Sequence, residues 1–505
     1  MTSAMTVRKS AALVLAIAAM LALPSAASAQ YRLENGPGAG RNPGGYHGGG
    51  GRGFGGGLAG FGIGVVTGII ASQPARGEPA VDEPRGRRGG KNSTSSSATS
   101  RNANRGGGSG APPAGETRMV PDEVVVELPN SASPQTVNAI RTRFRLTAVE
   151  SQSVALLGST FYRWRISDRR SVASVVRAVE ADTRVASVQP DYLYRMQQQP
   201  AEATAAPASA SNVATAPLRE GDPAQYAVPK MRLPEAHGIA KGDNVLVAVI
   251  DSGIDESQPE LAGAIAGSFD TLKPPFTVHS HGTAIAALIA GHSRLMGSAP
   301  SARILAVRAF DPAGSGAEAT TFSILKGLDW SAAQSARIIN MSFAGPADPA
   351  IHRALEAAHK KGVVLIAAAG NAGAKSPPLY PAADPNVIAV TATDASDNLF
   401  DGSNRGRHIA VAAPGVDILI AVPNGGYELS TGTSYSAAEV SGIAALMLQR
   451  NGDLTPDMVR DTLLATAKDL GKKGRDDDFG AGLADAYRAV TELPGSRVSD
   501  AVPAK

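Results

Sequence analysis

Hydrophobic positions in the second half of the chain follow a repeating order of apolar runs and amphipathic stretches. The continuously apolar runs are 244–250, 303–310, 336–343, 362–370 and 386–393. Strands that are buried on both faces have this composition, and helices cover them in a parallel sheet. The pattern predicts an α/β domain over residues 223–492, with its chemistry at the carboxyl ends of the strands.

A shorter region upstream has a different alternation. It predicts strands at 123–128, 159–167 and 185–194 and helices at 134–144 and 171–182. Two strand–helix–strand repeats of this kind indicate a small ferredoxin-like α+β domain over residues 118–197. Small and polar residues at 198–222 predict a linker, and residues 493–505 predict a C-terminal tail.

The N-terminal region has the features of an exported protein. Arg8 and Lys9 precede an apolar run that ends in small residues at 27–29, which predicts a signal peptide over residues 1–29. The protein is therefore expected to be secreted or periplasmic.

Residues 30–115 are rich in Gly, Ser, Asn and Arg and are predicted to be a low-complexity, disordered region. Within them, residues 60–72 are apolar, with glycine at every fourth position. This segment is short for a membrane span, so membrane association is the minor alternative to a sticky part of the tail.

Composition excludes several function classes. The chain has no cysteine, which excludes disulfides, iron–sulfur clusters, thiolate zinc sites and a cysteine nucleophile. Its net charge is +3, and no basic face is interleaved with aromatic residues. We therefore expect no nucleic-acid partner.

Three side chains at the edge of the predicted sheet form a set suited to acyl transfer. Asp251 ends the first apolar run, His281 stands at the start of a helix, and Ser434 precedes another helix. Each residue alone is more often structural; a serine before a helix is usually its cap. Together they supply a nucleophile, a general base and a carboxylate that orients the base.

The segments around these residues resemble the active-site blocks of the subtilisin-like serine proteases. VAVIDSGID, SHGTAIAALIAG and GTSYSAAEVSG occur in the family's order, and further segments such as IINMSFAGP and LIAAAGNAG lie in register between residues 225 and 490. The resemblance implies a parallel sheet sandwiched by helices and a secreted serine endopeptidase with Asp251, His281 and Ser434 as its triad. A serine esterase, a peptide ligase and a catalytically silent peptide-binding protein remain alternatives.

The resemblance also implies roles for residues around the triad. Asn371 matches the oxyanion-hole asparagine; in subtilisin, loss of that donor is known to cost about 10²–10³ in turnover. Two segments match those that flank an extended polypeptide substrate: Gly314, Ser315 and Gly316, and Ser342, Phe343, Ala344 and Gly345. Residues 118–197 match an inhibitory propeptide acting in cis.

The chain departs from the family pattern at several positions. Glu439 stands in the first turns of the helix after Ser434, where we expect its charge to favour the helix dipole, and we expect Thr433 to cap that helix. Residues 291–300 are too short for the family's usual calcium loop. We therefore predict no cofactor and no metal at that loop, with calcium elsewhere left open.

Overall fold

The structure is a computed structural model and describes residues 109–196, 221–274, 279–313 and 316–494. The predicted signal peptide, the segment 60–72 and most of the predicted linker lie outside these residues. Among the helices in the described ranges, none combines the length and the apolar character needed to cross a membrane.

Residues 119–196, here called the small unit, form an antiparallel sheet with two helices. Its elements are β1 (Met119–Pro129), α1 (Pro134–Arg143), β2 (Leu146–Val154), β3 (Ser159–Ile166), α2 (Val172–Glu180) and β4 (Ser187–Arg195). The strand order is β2-β3-β1-β4, as expected for two interleaved strand–helix–strand repeats. Serine side chains begin both helices: Ser133 accepts from the Thr136 N–H, and Ser171 accepts from the Ser174 N–H.

Alternate residues of the small unit's strands enter two different cores. Val124, Val126 and Trp164 are buried in a cluster with residues of α1 and α2. Val125 and Phe161 are buried in a second cluster, which they share with the rest of the protein. The period of two that predicts the strands thus also separates an internal face from a docking face.

Residues 221–494, here called the large unit, contain a parallel sheet between helices. Its strands are β5 (Leu246–Asp251), β6 (Ile265–Asp270), β7 (Arg303–Arg308), β8 (Asp311–Ala313), β9 (Gly316–Thr320), β10 (Ile338–Met341), β11 (Val364–Ala368), β12 (Val387–Thr393), β13 (Ile409–Pro414), β14 (Ile418–Val422) and β15 (Gly426–Ser430). Its helices are α3 (Ala227–Lys230), α4 (Leu233–His237), α5 (Ser280–Ala290), α6 (Thr321–Ala333), α7 (Pro349–Lys360), α8 (Thr433–Arg450), α9 (Pro456–Thr466) and α10 (Ala486–Thr491).

Seven of these strands form the parallel sheet, in the order β13-β12-β11-β10-β5-β7-β6. Val247 and Val249 of β5 enter one core with α5 and α8, whereas Ala248 and Ile250 enter the other with α6 and α7. The predicted α/β class, with helices on both faces, is confirmed. Both edge strands of this sheet, β6 and β13, lie outside the predicted runs. β6 alternates between half-buried and exposed residues, so it lacks a continuous apolar run.

Strand β4 links the two units. Beyond its pairing with β1, it pairs antiparallel with β9 of the large unit and creates an antiparallel six-stranded sheet, β2-β3-β1-β4-β9-β8. The end of the small unit is therefore an added strand on the large unit.

Candidate active site

The carboxylate at the end of β5 and the histidine at the start of α5 are in direct contact. His281 Nδ1 lies 2.9 Å from Oδ1 and 3.0 Å from Oδ2 of Asp251, and both side chains are buried. The carboxylate also accepts from the N–H and hydroxyl of Ser252, at 2.8 and 3.1 Å. Because a carboxylate faces Nδ1, the hydrogen of the neutral imidazole belongs there, and Nε2 is the accepting atom.

Gly282 makes this close approach possible. A Cβ atom at Gly282 would lie 2.2 Å from the Gly253 carbonyl oxygen and 3.0 Å from Asp251 Oδ1. A side chain there would force α5 away from the end of β5 and stretch the Asp251–His281 contact. The glycine that follows the histidine is therefore a packing requirement of the site.

Ser434 lies in the first turn of α8 and is bonded to the end of β10. Its hydroxyl donates to the Ser342 carbonyl at 3.3 Å, and the Ser342 hydroxyl donates to the Ser434 carbonyl at 3.1 Å. Asn340 extends the network, with Nδ2 donating to Ser342 Oγ at 2.9 Å and Oδ1 accepting from Ser441 at 3.0 Å. All four side chains are buried, so this network fixes α8 on the sheet.

The helices that carry His281 and Ser434, α5 and α8, pack together, and no hydrogen bond joins the two side chains. His281 Nε2 is buried and has no hydrogen-bond partner among the described residues, while the Ser434 hydroxyl is directed at Ser342. The ring of Tyr435, the residue after Ser434, lies 6.1 Å from the His281 ring between centroids. The acceptor that a general base needs is thus present and unoccupied by protein groups of the described residues.

The Asn371 carboxamide is oriented by Thr433. The Thr433 N–H donates to Asn371 Oδ1 at 3.1 Å, and its hydroxyl donates to the same oxygen at 2.8 Å. A backbone N–H can only donate, so the atom that faces it is the oxygen and the NH₂ end points the other way. The prediction that Thr433 caps α8 is wrong, because no side chain caps this helix and its N-cap residue is Gly432.

Glu439 is buried inside the large unit and does not carry a favourable surface charge. Burial raises the pKa of Glu439 to about 8, and a hydrogen bond from the Ser298 hydroxyl opposes that shift. The carboxyl group is therefore mainly neutral at pH 7. The expectation that its charge favours the helix dipole is wrong, because desolvation outweighs the interaction with the helix.

The end of β4 occupies a groove beside Ser434 as an extended peptide would. On one side, residues 193–195 pair antiparallel with 318–320, and the Met196 N–H donates to the Ala317 carbonyl at 3.1 Å. On the other side, the Arg195 N–H donates to the Ala344 carbonyl at 2.9 Å, and the Ala344 N–H donates back at 3.0 Å. The chain thus forms the middle strand of three.

The predicted substrate-binding residues lie at different distances from this strand. Ala344 bonds to it, Phe343 and Gly345 contact Tyr194, and Ser342 bonds to Ser434. Gly314 and Ser315 lie outside the described residues, and Gly316 pairs with Ala313 in the β8–β9 hairpin. The residues that pair with β4 follow the Gly-Ser-Gly motif and were missed, because short alternating segments such as 317–320 give little strand signal.

Two polar neighbours of Asp251 were also missed. Ser252 Oγ lies 3.3 Å from Nδ1 of His279, so a second imidazole stands one hydroxyl away from the Asp251 carboxylate. Burial lowers the pKa of His279, and the neighbouring His281 lowers it further. The sequence signal was the His279-Ser280-His281 pattern, in which two histidines flank a helix start.

A buried carboxylate holds the shortened loop for which the sequence predicts no calcium. Glu260 accepts from the N–H groups of Ser293, Arg294 and Leu295 at 3.1, 2.9 and 3.0 Å, and from the Tyr427 hydroxyl at 2.6 Å. Within the described ranges, no three His, Asp or Glu side chains are grouped as ligands of one ion. Protein groups therefore fix this loop directly.

Comparisons with known proteins agree with this architecture. The Subtilase family, peptidase S8, matches residues 242–482. Thermitase of Thermoactinomyces vulgaris is 35% identical over 274 residues, which are 53% of this chain and 95% of thermitase. Subtilisin E of Bacillus subtilis (strain 168) is 37% identical over 275 residues, which are 52% of this chain and 71% of that protein.

A solved structure supports the fold. Fervidolysin of Fervidobacterium pennivorans, described as a keratinolytic enzyme related to subtilisin, superposes with a TM-score of 0.63. Its identity is 24%, and the match covers 77% of this chain and 63% of fervidolysin. With the near-complete coverage of thermitase at 35% identity, these matches show that the chain belongs to the subtilase family and is a subtilisin-like serine protease.

Proposed function

We propose that the chain is an exported zymogen that cleaves peptide bonds with Ser434 as nucleophile, His281 as general base and Asp251 as the group that orients the imidazole. The observation that carries the proposal is the groove beside Ser434, which holds an extended strand of polypeptide paired on both edges. A site that binds polypeptide backbone in this way suits a peptidase better than an esterase.

The contacts support a definite order of proton transfers. A change of the Ser434 χ1 rotamer would release its hydroxyl from Ser342 and direct it at His281 Nε2, the buried acceptor with no described partner. The oxygen then attacks the substrate carbonyl carbon as Nε2 takes the proton, and Asp251 stabilises the resulting imidazolium. The same proton passes to the amine as the C–N bond breaks, and water hydrolyses the acyl-enzyme.

The negative oxygen of the tetrahedral intermediate needs donors. The Ser434 N–H and the NH₂ group of Asn371 are the donors we assign, because the two bonds from Thr433 to Oδ1 fix which end of the carboxamide donates. Replacement of Asn371 by alanine should therefore lower turnover by about 10²–10³, the loss known for subtilisin. The measurement is kcat on a peptide substrate.

We assign residues 118–197 as a propeptide that inhibits the enzyme in cis. Its last described strand fills the groove and would exclude a second polypeptide from it. The predicted signal peptide at 1–29 supports export to the periplasm or the exterior. Polypeptides are then the substrates, and the enzyme itself needs no cofactor for the reaction.

Active-site labelling tests the proposal. A fluorophosphonate probe, added to the full-length protein after its own maturation, should label Ser434, as located by peptide mass spectrometry, and Ser434→Ala should abolish labelling and casein hydrolysis. Ser436→Ala is the matched control, because Ser436 lies on the same helix turn and its hydroxyl donates to the Ala413 and Pro414 carbonyls. Labelling at another serine, or ester hydrolysis without casein hydrolysis, would contradict the proposal.

A further inference from the structure

We infer that Glu318 makes the groove select substrates with a basic residue, whose side chain the Glu318 carboxylate recognises. The position concerned is the second residue before the one whose carbonyl is attacked. This inference rests on the proposed function. The chain's own strand β4 carries it, because Tyr194 and Arg195 occupy the groove as a substrate would.

The strand register relates these two residues to Ser434. Arg195 pairs antiparallel with Ala344. Residues that follow Arg195 in this register therefore lie opposite residues that precede Ala344. A bound peptide that continues in this register would have the position two residues after its counterpart of Arg195 opposite Ser342, whose carbonyl oxygen lies 3.3 Å from Ser434 Oγ. A peptide in this register presents the carbonyl of that position to the nucleophile.

Tyr194 fills an enclosed aromatic pocket. Its side chain is 0% exposed, and its ring meets the Phe343 ring edge-on at 5.9 Å and 87°. A Cβ atom at Gly345 would lie 2.4 Å from Tyr194 Cδ1, so the missing side chain of Gly345 provides the room for the ring. The Tyr194 hydroxyl donates to the Pro346 carbonyl at 3.3 Å, which gives the pocket a contact that phenylalanine lacks.

Arg195 meets a carboxylate on the other edge of the groove. Its Nε lies 2.6 Å from Glu318 Oε1, while its backbone pairs with Ala344. The Arg195 side chain is 70% exposed and that of Glu318 is 32% exposed, so water and salt screen the pair. This ion pair should therefore change kcat/KM only severalfold. A glutamate in place of Arg195 would add repulsion from the Glu318 carboxylate.

Peptide kinetics test this position. The substrates are acetyl-Tyr-Arg-Met-Gln-aminomethylcoumarin and the version with Glu for Arg. The enzyme is the full-length protein after its own maturation. We expect kcat/KM to favour Arg over Glu by about 3- to 20-fold at low salt and less at high salt.

Charge reversal identifies the residue responsible. Glu318→Lys should invert the Arg/Glu ratio, whereas Glu356→Lys, on α7 and paired with Lys360 outside the groove, should keep the wild-type ratio. In cis, Arg195→Glu should slow consumption of the precursor, and adding Glu318→Lys should restore it.

Two results separate the inference from the proposed function. Casein hydrolysis with an Arg/Glu ratio within twofold of one, or with a ratio unchanged in Glu318→Lys, would overturn the inference and leave the protease assignment standing. Failure of the wild-type protein to cleave casein and every peptide better than Ser434→Ala would overturn the proposed function itself.

Discussion

The two largest β-sheets in the described residues are covered in different ways. The parallel sheet of the large unit has helices of its own unit on both faces, and successive residues of β5 enter the two cores in turn. The sheet of the small unit has its own helices, α1 and α2, on one face only. Its other face is covered by α6 and α7 of the large unit, in the cluster that contains Val125 and Phe161. The small unit completes its sandwich only when it is docked.

Polar contacts make that docking specific. The Phe322 N–H, in the first turn of α6, donates to Asp191 Oδ1 at 3.0 Å, and Asp348 begins α7 by accepting from the Ala350 and Ile351 N–H groups. Gln189 of the small unit donates to Asp348 at 2.7 Å and accepts from the Ala350 N–H at 3.0 Å. These groups are buried. If the units separated, N–H groups in the first turns of α6 and α7 would lose these acceptors and would have to bond to water instead.

The largest expected effect concerns the covalent link between the units. Ser434→Ala should lower cleavage of the precursor by about 10⁵–10⁶, the loss known for subtilisin-type triads, so the precursor should persist as one chain. In the wild type, the cut should fall between about Met196 and Pro223, at a rate independent of protein concentration. N-terminal sequencing locates the cut, and a dilution series measures whether the rate depends on protein concentration. A mature N-terminus before Asp122, or normal maturation of Ser434→Ala without added protease, would contradict the assignment.

Two aromatic residues on opposite faces of β3 should separate folding from docking. Trp164→Ala removes a side chain buried against α1 and α2 and should destabilise the small unit itself by about 3–5 kcal/mol. Phe161→Ala removes one from the docking face and should weaken association by a similar amount.

The two variants are compared in the Ser434→Ala protein after a protease has cut the linker. Gel filtration should show Phe161→Ala releasing a small unit that keeps its circular dichroism, whereas the Trp164→Ala unit is unfolded. The same outcome for both variants would show that the two faces are not independent.

One of the buried carboxyl groups at the interface, that of Asp191, should make docking depend on pH. Burial raises the pKa of Asp191 from 3.8 to about 7, and Arg163 opposes this shift while Glu123 adds to it. The released unit loses its proton near pH 4, whereas the docked unit keeps it to about pH 7. Docking therefore takes up a proton, and its affinity should fall by up to roughly tenfold per pH unit between 4 and 7.

Asp191→Asn should flatten this dependence, because the amide does not titrate. Dissociation constants of the cut Ser434→Ala complex at pH 4.5, 5.5 and 7 measure it. A wild-type affinity that is constant with pH, or one that rises with pH, would contradict the assignment of a protonated Asp191.

Glu439 should produce a pH effect of similar size per pH unit that is confined to the large unit. The unfolded chain ionises near 4.5, but the folded protein holds the proton to about pH 8. Between these values the folded state binds more protons, so the free energy of unfolding should fall with rising pH, by at most about 1.4 kcal/mol per unit. The free energy of unfolding is measured with urea at pH 5, 6.5 and 8. Glu439→Gln should reduce the slope of this free energy against pH. Glu356→Gln, at an exposed side chain, should leave that slope unchanged. A slope in Glu439→Gln equal to that of the wild type would refute the prediction.

The smallest expected effect is that of a chelator. Backbone N–H groups and Tyr427 bond directly to Glu260, so the loop 291–297 should keep its structure without calcium. EDTA should therefore leave the melting temperature nearly unchanged, since a site that binds no ion contributes no linkage. A large drop would reveal a calcium site elsewhere, whereas Glu260→Gln should lower the melting temperature in either buffer.

The sequence by itself determined the α/β class, five of the seven strands of the parallel sheet and the small α+β unit. These follow from local periodicity, which burial on one or two faces imposes on neighbouring residues. Asp251, His281 and Ser434 could be named as candidates because each stands where an apolar run ends or a helix begins. Edge strand β6 escaped prediction because its exposed residues break the apolar run.

Only the tertiary structure decided what depends on contacts between distant segments. Thr433 bonds to Asn371 instead of capping its helix, and Glu439 is buried and holds its proton, although both are polar residues at an ordinary helix start. The pairing of β4 with β9 and Ala344 joins residues more than a hundred positions apart, and no local pattern encodes that register. Burial and hydrogen-bond partners are properties of the assembled fold, and they determine the charge states and the strand that fills the groove.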